Sequence, residues 1–251
     1  MVHFVGAGPG ALDLITVRGY NLLRRADVVV YAGSLVNPEL LQGCKPGCRC
    51  YNSAKMTLEE VISVLESASK NDCEVVRLHT GDPALYGAIR EQMEALDALG
   101  VPWDVTPGVS SFSAAAAVMG AEYTLPGVSQ TVILTRCAGR TPVPEGEALS
   151  SLAYHGASMV LFLSVGLAEQ VQADLLAGGY DPDTPAAVVY KATWPEERIL
   201  RCTVGTLAGT VAASGLKQTA LITVGDFLSG TVERSKLYDP GFSHGWREAK
   251  S

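Results

Sequence analysis

The sequence predicts an α/β protein of two domains, the first built on a mostly parallel sheet and the second on a mixed sheet. In the first half, short apolar runs alternate with helix-like segments, which is the order of parallel βαβ units. In the second half, two strand-like runs are joined through the short segment Thr193–Glu197, and so short a connection indicates an antiparallel pair. A chain of 251 residues with 47% hydrophobic content can form both cores.

The first domain begins with the apolar run Val2–Val5, which predicts a strand. A glycine turn, Gly6–Gly10, leads from it into a helix over Leu12–Leu23. Thr57 and Glu60 have the spacing of a capping box, so the next helix is expected to start there and to reach Ser69. The remaining predicted elements are strands over Val28–Tyr31, Glu74–Leu78 and Trp103–Thr106, and helices over Ala88–Leu99 and from Ser110 through the alanines to Ala117.

We place the domain boundary at residue 121, which gives domains of 1–121 and 122–251. Leu125–Gly127 breaks the alternating pattern, and a new strand follows it. The polar and aromatic segment from Ser229 onward predicts an appended tail with little core of its own. The predicted strands of the second domain are Thr131–Thr135, Ser158–Leu163, Ala186–Tyr190, Arg198–Thr203 and Thr219–Val224.

The composition excludes several classes of function. A net charge of -7 disfavours broad nucleic-acid binding, which needs a basic face. The chain begins with a strand-like run rather than a signal peptide, and its apolar runs stay below the ~18 residues of a membrane span. We therefore expect a cytoplasmic protein without nucleic-acid or membrane partners.

Six cysteines lie at positions 44, 48, 50, 73, 137 and 202. They lack the density of a secreted disulfide scaffold, which agrees with a reducing compartment. Cys44, Cys48 and Cys50 have C-x3-C-x-C spacing, which is not a common zinc pattern. We expect free thiols and no metal, with a metal or cluster site as the less favoured alternative.

The glycine turn leaves three interpretations open. Gly6, Gly8 and Ala11 loosely fit the G-x-G-x-x-A pattern of NAD- or FAD-binding proteins. However, Tyr31–Ser34 stands where an acidic residue would hold the ribose, and Pro9 has no N–H to offer a pyrophosphate. A plain structural turn and a site for another small molecule are the alternatives.

Two further glycine-containing loops favour a small-molecule site. His79–Gly87 follows the third predicted strand and Thr106–Ser111 follows the fourth, so three such loops leave carboxyl ends of strands, where ligands bind in open α/β sheets. Together with the opening turn, these loops resemble those of the tetrapyrrole methylase family, and the resemblance extends over about residues 2–228. Within the family, Thr131–Arg136, Gly139–Pro144 and Val189–Pro195 are similar to segments of precorrin-4 and cobalt-precorrin-4 C-11 methyltransferases.

The resemblance implies the tetrapyrrole methylase fold, with S-adenosylmethionine bound in a cleft between two α/β domains. Asp82 would then pair with the ammonium group of the cofactor, and leucines would supply apolar walls. The cofactor-binding residues implied are Pro9, Thr80, Gly81, Asp82, Leu85, Ser110 and Ser111 in the first domain, and Leu163, Ser164, Tyr190, Ala192, Thr219 and Ala220 in the second.

A corrin precursor carries many carboxylates, so an acidic protein needs local positive charge and hydrogen-bond donors to bind it. The resemblance points to Arg136, Arg140 and Lys191 for this role, although solvated surface charges are an equal alternative. Tyr31, Ser34 and Tyr86 are the expected hydrogen-bonding residues of the first domain.

The implied activity is methyl transfer to a ring carbon in cobalamin biosynthesis, with S-adenosylhomocysteine as the other product and a homodimer as the expected assembly. Such a transfer depends on positioning and exclusion of water more than on a strong base, so no catalytic residue is assigned. His79 is the histidine expected nearest the site, and burial explains it as well as catalysis does. The alternatives are a sister methylase acting at another ring position and a non-catalytic tetrapyrrole or S-adenosylmethionine binder; an RNA substrate is disfavoured by the acidic charge.

Overall fold

We describe a computed structural model of the protein, which covers residues 1–230 and 235–249 and, at Ser34, the backbone only. The chain divides into two compact units. The first unit comprises Met1–Ala115 together with the segment Lys191–Glu197, and the second comprises Ala116–Tyr190 and the residues from Arg198 onward. The sequence did not indicate that Lys191–Glu197 packs with the first unit. The boundary at residue 121 stays a prediction.

The first unit contains a five-stranded parallel sheet in the order β3-β2-β4-β1-β5. One face packs against a cluster that includes Phe4 and Leu65, and the other against a cluster that includes Val5 and Leu23. Both faces are therefore covered, which explains why the central strands are mainly apolar. The strands are β1 (Val2–Gly6), β2 (Val28–Tyr31), β3 (Arg49–Asn52), β4 (Val75–His79) and β5 (Trp103–Thr106), and the helices are α1 (Val17–Arg25), α2 (Leu58–Lys70), α3 (Ile89–Ala98) and α4 (Ser111–Met119).

The sequence missed two features of this unit. The helix expected from Leu12 begins only at Val17, because the Thr16 hydroxyl accepts a hydrogen bond from Gly19 N at 3.1 Å and caps the helix there. Strand β3 was not predicted, since its residues are polar and mostly exposed at the sheet edge. The capping box at Thr57 was predicted correctly.

The second unit contains a mixed five-stranded sheet in the order β6-β7-β10-β8-β9. Strands β6 and β7 are parallel, and the other neighbouring pairs are antiparallel, which confirms both the mixed sheet and the predicted hairpin. The strands are β6 (Val132–Arg136), β7 (Ser158–Phe162), β8 (Pro185–Tyr190), β9 (Arg198–Thr203) and β10 (Ala220–Val224), and the helices are α5 (Leu149–Ala153), α6 (Ala168–Ala177) and α7 (Leu207–Ser214).

The helices and the tail add two further observations. Within residues 1–230 and 235–249, none of the helices combines the length and the apolar character that a membrane crossing needs. In the described part of the tail, Arg247 donates hydrogen bonds to Leu237 O at 2.8 Å and Asp239 O at 2.7 Å. Residues 231–234 and 250–251 of the predicted tail lie outside the described residues.

Candidate functional site

The carboxyl ends of β4, β1 and β5 bring the three glycine-containing loops side by side. In the parallel register, Gly6 is opposite His79 and Val5 is opposite Thr106, so the segments after these strands start at one edge of the first sheet. Tyr31 ends the neighbouring strand β2 at the same edge. The topology thus collects the candidate residues of the first unit, which are Pro9, Thr80, Gly81, Asp82, Leu85, Tyr86, Ser110, Ser111 and Tyr31.

Glycines let these loops pack directly on one another. Gly8 and Gly81 exchange backbone hydrogen bonds, with Gly8 N donating to Gly81 O at 3.3 Å and Gly81 N donating to Gly8 O at 2.8 Å. A Cβ atom on Gly6 would lie 2.5 Å from Gly108 Cα and 2.6 Å from Gly81 O, closer than any side chain permits. Protein packing therefore explains these glycines, which favours the structural turn among the three interpretations that the sequence leaves open.

The carboxylate of Asp82 links two of the loops. Its Oδ1 accepts a hydrogen bond from Ala84 N at 2.8 Å, and its Oδ2 accepts one from Gly108 N at 2.9 Å. A carboxylate offers about four acceptor sites, so each oxygen retains a lone pair for a further donor. Asp82 can therefore hold the loops in place and still bind a cationic group.

His79, at the end of β4, is buried and only 4% exposed. Burial, with a smaller contribution from the positive charge of Arg77, lowers the pKa of His79 to about 3, so the ring is neutral at physiological pH. Its Nε2 is buried without a hydrogen-bond partner among the described residues, and the ring stacks on Phe4 with centroids 6.1 Å apart. These features favour a core position over general acid–base catalysis.

The segment Lys191–Glu197 covers the first glycine turn. The indole Nε1 of Trp194 donates a hydrogen bond to Pro9 O at 2.7 Å, and Thr193 Oγ1 accepts one from Ala11 N at 3.0 Å. A Cβ atom on Gly10 would overlap the Trp194 ring. The indole therefore occupies the space that the missing side chain leaves.

In the second sheet, the candidate residues also gather at one edge. Arg136 and Phe162 are paired at the carboxyl ends of the parallel strands β6 and β7. Because β10 runs antiparallel to β7 and β8, its amino end lies at this same edge, where Ala220 is paired with Tyr190. Leu163, Ser164, Tyr190, Thr219, Ala220 and Arg136 thereby come to one edge of the second unit.

Several candidate residues have strained backbones. Leu163, with φ of 54°, and Thr219, with φ of 61°, adopt left-handed conformations that favour glycine. Tyr86 and Lys191 do the same, with φ of 57° and 46°. Such strain is concentrated at functional sites. Leu163 is also 70% exposed, which leaves an apolar side chain at this edge available to a ligand.

Two candidate side chains are engaged inside the protein. Ser164 is fully buried; its hydroxyl donates to Phe162 O at 2.6 Å and accepts from Cys137 N at 2.8 Å. The guanidinium of Arg136 donates to Thr141 O at 3.1 Å and to Pro142 O at 2.6 Å, and so holds the loop after β6. Any ligand contact of Ser164 would have to involve its backbone.

The other candidates vary in exposure. Ala192, Ser110 and Ala220 are buried, whereas Arg140 is exposed. The ammonium of Lys191 lies 3.4 Å from Glu196 Oε2 and 4.9 Å from the centroid of the Trp194 ring. The side chain of Ser34 lies outside the described part of the chain.

Residues 1–208 match the family model described as Tetrapyrrole (Corrin/Porphyrin) Methylases. The chain belongs to this family. Among its relatives, a protein of Methanocaldococcus jannaschii named cobalt-precorrin-4 C(11)-methyltransferase is 49% identical over 249 residues, which cover 99% of this chain and 96% of the relative.

Two solved structures have the fold of this tetrapyrrole methylase. A cobalt precorrin-4 methyltransferase is 48% identical, covers 90% of this chain and 95% of its own, and superposes with a TM-score of 0.88. A uroporphyrin-III C-methyltransferase from Thermus thermophilus, complexed with S-adenosylhomocysteine, is 28% identical over 93% of this chain and 95% of its own, with a TM-score of 0.76. The two α/β domains predicted from the sequence are thereby confirmed.

The sequence did not reveal that Thr193 and Trp194 of this tetrapyrrole methylase contact the first glycine turn. Both were identified only as part of a short connection between two strands and of a segment similar to the family's. Trp194 and Pro9 are 185 positions apart, so no local pattern links them. The one available signal was chemical, because an indole N–H that leaves water needs an acceptor.

Proposed function

We propose that this tetrapyrrole methylase transfers a methyl group from S-adenosylmethionine to C-11 of cobalt-precorrin-4 or precorrin-4 in cobalamin biosynthesis. The observation that carries the proposal is the similarity, along nearly the whole chain, to a cobalt-precorrin-4 C(11)-methyltransferase. The exposed Leu163 and the backbone strain at the edge of the second sheet support a small-molecule site there. The protein is proposed to act in the cytoplasm. It is also proposed to form a homodimer, and light scattering after gel filtration tests this by measuring its molar mass.

Cofactor binding is proposed for the candidate residues of both sheet edges. On the first unit, Asp82 fits the ammonium group, and the amino end of α4 beside Ser110 and Ser111 fits a carboxylate, because the first turn of a helix has backbone N–H groups without intrahelical partners. On the second unit, Leu163 and Tyr190 supply apolar surface. A carboxylate, the N–H groups of a helix start and apolar side chains match the chemical parts of S-adenosylmethionine.

When bound, S-adenosylmethionine supplies a sulfonium methyl group: a new bond to the ring carbon forms as the C–S bond breaks, and sulfur keeps that bond's electron pair. The protein needs to orient the two reactants and exclude water. Neutral, buried His79 is not required as a base, because the electrons for the new bond come from the macrocycle. Apolar Leu163 is suited to excluding water from the methyl group.

Substrate binding is proposed to use the basic residues of the second unit. Arg140 is exposed and can meet a carboxylate directly. Arg136 holds the loop that carries Arg140 through its bonds to Thr141 O and Pro142 O, so it also acts by positioning. Tyr31 and Tyr86 are proposed as hydrogen-bonding partners on the first unit.

The test is to incubate the protein with methyl-labelled S-adenosylmethionine and with each form of the tetrapyrrole, with and without cobalt. Mass spectrometry and NMR of the product should locate one new methyl group at C-11 in one of the two forms. A label at another carbon would identify a sister methylase. Binding of both ligands without transfer of the label would identify a carrier or sensor.

Leu163→Ala tests the cofactor assignment with a matched control. Removing this apolar contact should weaken binding of S-adenosylhomocysteine by about 5- to 30-fold, as expected for ~1–2 kcal/mol of lost burial. Leu99→Ala removes another exposed leucine, at the opposite edge of the first sheet just before β5, and should bind normally. If calorimetry gave the two variants equal affinities for S-adenosylhomocysteine, the assignment would be contradicted. If the protein bound NAD instead, the dinucleotide interpretation would be supported.

A further inference from the structure

The three cysteines that follow the 3-10 helix Pro38–Gly43 form a cluster of thiols. The Sγ atoms of Cys44, Cys48 and Cys50 all lie within 4.8 Å of one another. From the sequence alone a metal is not favoured here, because C-x3-C-x-C is an unusual zinc spacing. The structure supplies what spacing could not, namely that the three sulfur atoms converge.

Backbone hydrogen bonds hold each cysteine in place. Cys44 ends the 3-10 helix Pro38–Gly43, and its N–H donates to Leu41 O at 3.2 Å. Cys48 N donates to Lys45 O at 3.1 Å, closing a turn in which Gly47 has a φ of 83°. Cys50 belongs to β3, where it is paired with Val29. The cluster is thus fixed by a helix end, a turn and a strand.

The surroundings of the cluster combine burial with access. Cys44 and Cys48 are half-buried against the core that contains Val5 and Leu23, whereas Cys50 is exposed. Burial raises the pKa of Cys44 to about 11 and that of Cys48 to about 12, and the proximity of the other sulfur atoms contributes in each case. Burial and mutual repulsion both disfavour the thiolate forms of these cysteines. A bound cation would offset both effects, because it neutralises the thiolates.

We propose that Cys44, Cys48 and Cys50 form a three-thiolate site for a thiophilic d10 cation, Zn²⁺ or Cu⁺. Metal–sulfur bonds of about 2.3 Å place thiolates about 3.8–4.0 Å apart, so shifts of under about 1 Å complete the site. Soft thiolate ligands select these ions over Mg²⁺ or Ca²⁺. Each bond forms as the metal accepts a sulfur lone pair and the thiol proton passes to solvent, with no change of oxidation state.

The site is separate from the proposed methyl-transfer site. Cys50 lies two residues before the end of β3, opposite Val29, whereas the candidate residues follow the carboxyl ends of the strands. A metal here would tie the 3-10 segment to the exposed edge strand. The inference therefore does not depend on the proposed function.

The test is metal titration of the full-length protein, reduced and kept free of oxygen. Zn²⁺ is added in competition with a chromophoric chelator, Cu⁺ in a parallel series, and Cd²⁺ is used to detect sulfur-to-metal charge transfer in the ultraviolet. We expect one equivalent of tightly bound metal and a charge-transfer band. Cys50→Ser, which changes an exposed residue, should lower the affinity by at least about 10- to 100-fold, because losing a ligand should cost no less than losing a partner that only orients one.

Cys73→Ser is the matched control, since Cys73 is a half-buried cysteine of the same unit outside the cluster. It should retain the affinity of the parent protein, and circular dichroism of metal-free Cys50→Ser should show an unchanged fold. Cys48→Ala provides a second variant that should lose the charge-transfer band. Equal metal affinity in the parent protein and Cys50→Ser would overturn the proposal.

Discussion

The contact between Gly10 and Trp194 leads to a prediction that joins the stability of the first unit to its candidate site. Gly10 does not need glycine for its own backbone, since its φ is outside the left-handed region that Gly8 occupies. Its Cβ position is filled by the Trp194 ring, whose Cγ would lie 2.8 Å from an added methyl group. Gly10→Ala must therefore displace the indole or the turn.

The expected cost follows from two effects of this displacement. Overpacking in a region with little room costs about 1–3 kcal/mol. Loss of the hydrogen bond from Trp194 Nε1 to Pro9 O, which is 2.7 Å long, adds about 0.5–1.5 kcal/mol. We expect the free energy of unfolding to fall by about 2–4 kcal/mol and the melting temperature by about 4–16 °C.

A double-mutant cycle with Trp194→Ala separates this contact from other effects. In the background of Trp194→Ala the space is empty, so Gly10→Ala should be neutral or should stabilise by about 0.4–1 kcal/mol, because alanine restricts the unfolded chain. The coupling energy should thus be about 2 kcal/mol or more. Urea unfolding followed by circular dichroism measures all four proteins, and calorimetry with S-adenosylhomocysteine measures their binding.

Gly209→Ala is the control for glycine replacement. Gly209 lies in α7 with open space around its Cβ position, so alanine should stabilise the helix by about 0.5–1 kcal/mol. If Gly10→Ala cost as little in the presence of Trp194 as in its absence, the packing argument would be refuted. If Gly10→Ala lowered stability equally with and without Trp194, the loss would come from the turn itself.

Three further substitutions test other parts of the structure. Ser164→Ala leaves the buried Cys137 N–H without its acceptor and should destabilise the protein by about 1–3 kcal/mol. The dissociation constant of S-adenosylhomocysteine should change by less than about threefold. A large loss of binding would instead show that the Ser164 hydroxyl contacts the ligand. Because the pKa of His79 is lowered to about 3, the unfolded chain takes up a proton at this residue at a higher pH than the folded protein does. The contribution of His79 to the free energy of unfolding should therefore be fully present above about pH 6.5 and should fall by up to about 1.4 kcal/mol per pH unit between pH 6.5 and 3. In unfolding measured at several pH values, His79→Leu should lower the number of protons taken up on unfolding by one. Arg140→Ala should raise KM for the tetrapyrrole by about 5- to 30-fold, since a charge-assisted hydrogen bond contributes ~1–2 kcal/mol. The KM for S-adenosylmethionine should stay unchanged. If the variant and the parent protein had the same KM for the tetrapyrrole, Arg140 would be a solvated surface residue.

The order of elements was predictable because each strand carries its own signal. Strands such as β2 and β7 are buried along most of their length, so their apolar runs are continuous and easily recognised. In the first unit, the loops that follow the strands were identified by glycine, as at Gly81. Strand β3 was missed since its side chains face water at the edge of the sheet.

Contacts over long sequence separations could not be predicted. The roles of Gly10 and Ser164 depend on Trp194 and Cys137, which lie 184 and 27 positions away. Composition supports several uses for a serine or a glycine, and only the packed structure selects one. The convergence of Cys44, Cys48 and Cys50 likewise depends on how a turn meets an edge strand.

The two sheets differ in how a site can be found from the sequence. In the first unit all strands are parallel, so the rule that ligands bind beyond the carboxyl ends of strands identified Gly81 and its neighbouring loops. In the second unit, Leu163 and Thr219 were both identified through the family resemblance; the rule fits Leu163, which follows β7, but not Thr219, which precedes β10. Thr219 lies at the same edge because β10 runs antiparallel to both of its neighbours. For this half of the protein, family resemblance carried information that strand order could not supply, and the left-handed backbones of Leu163 and Thr219 are its independent physical support.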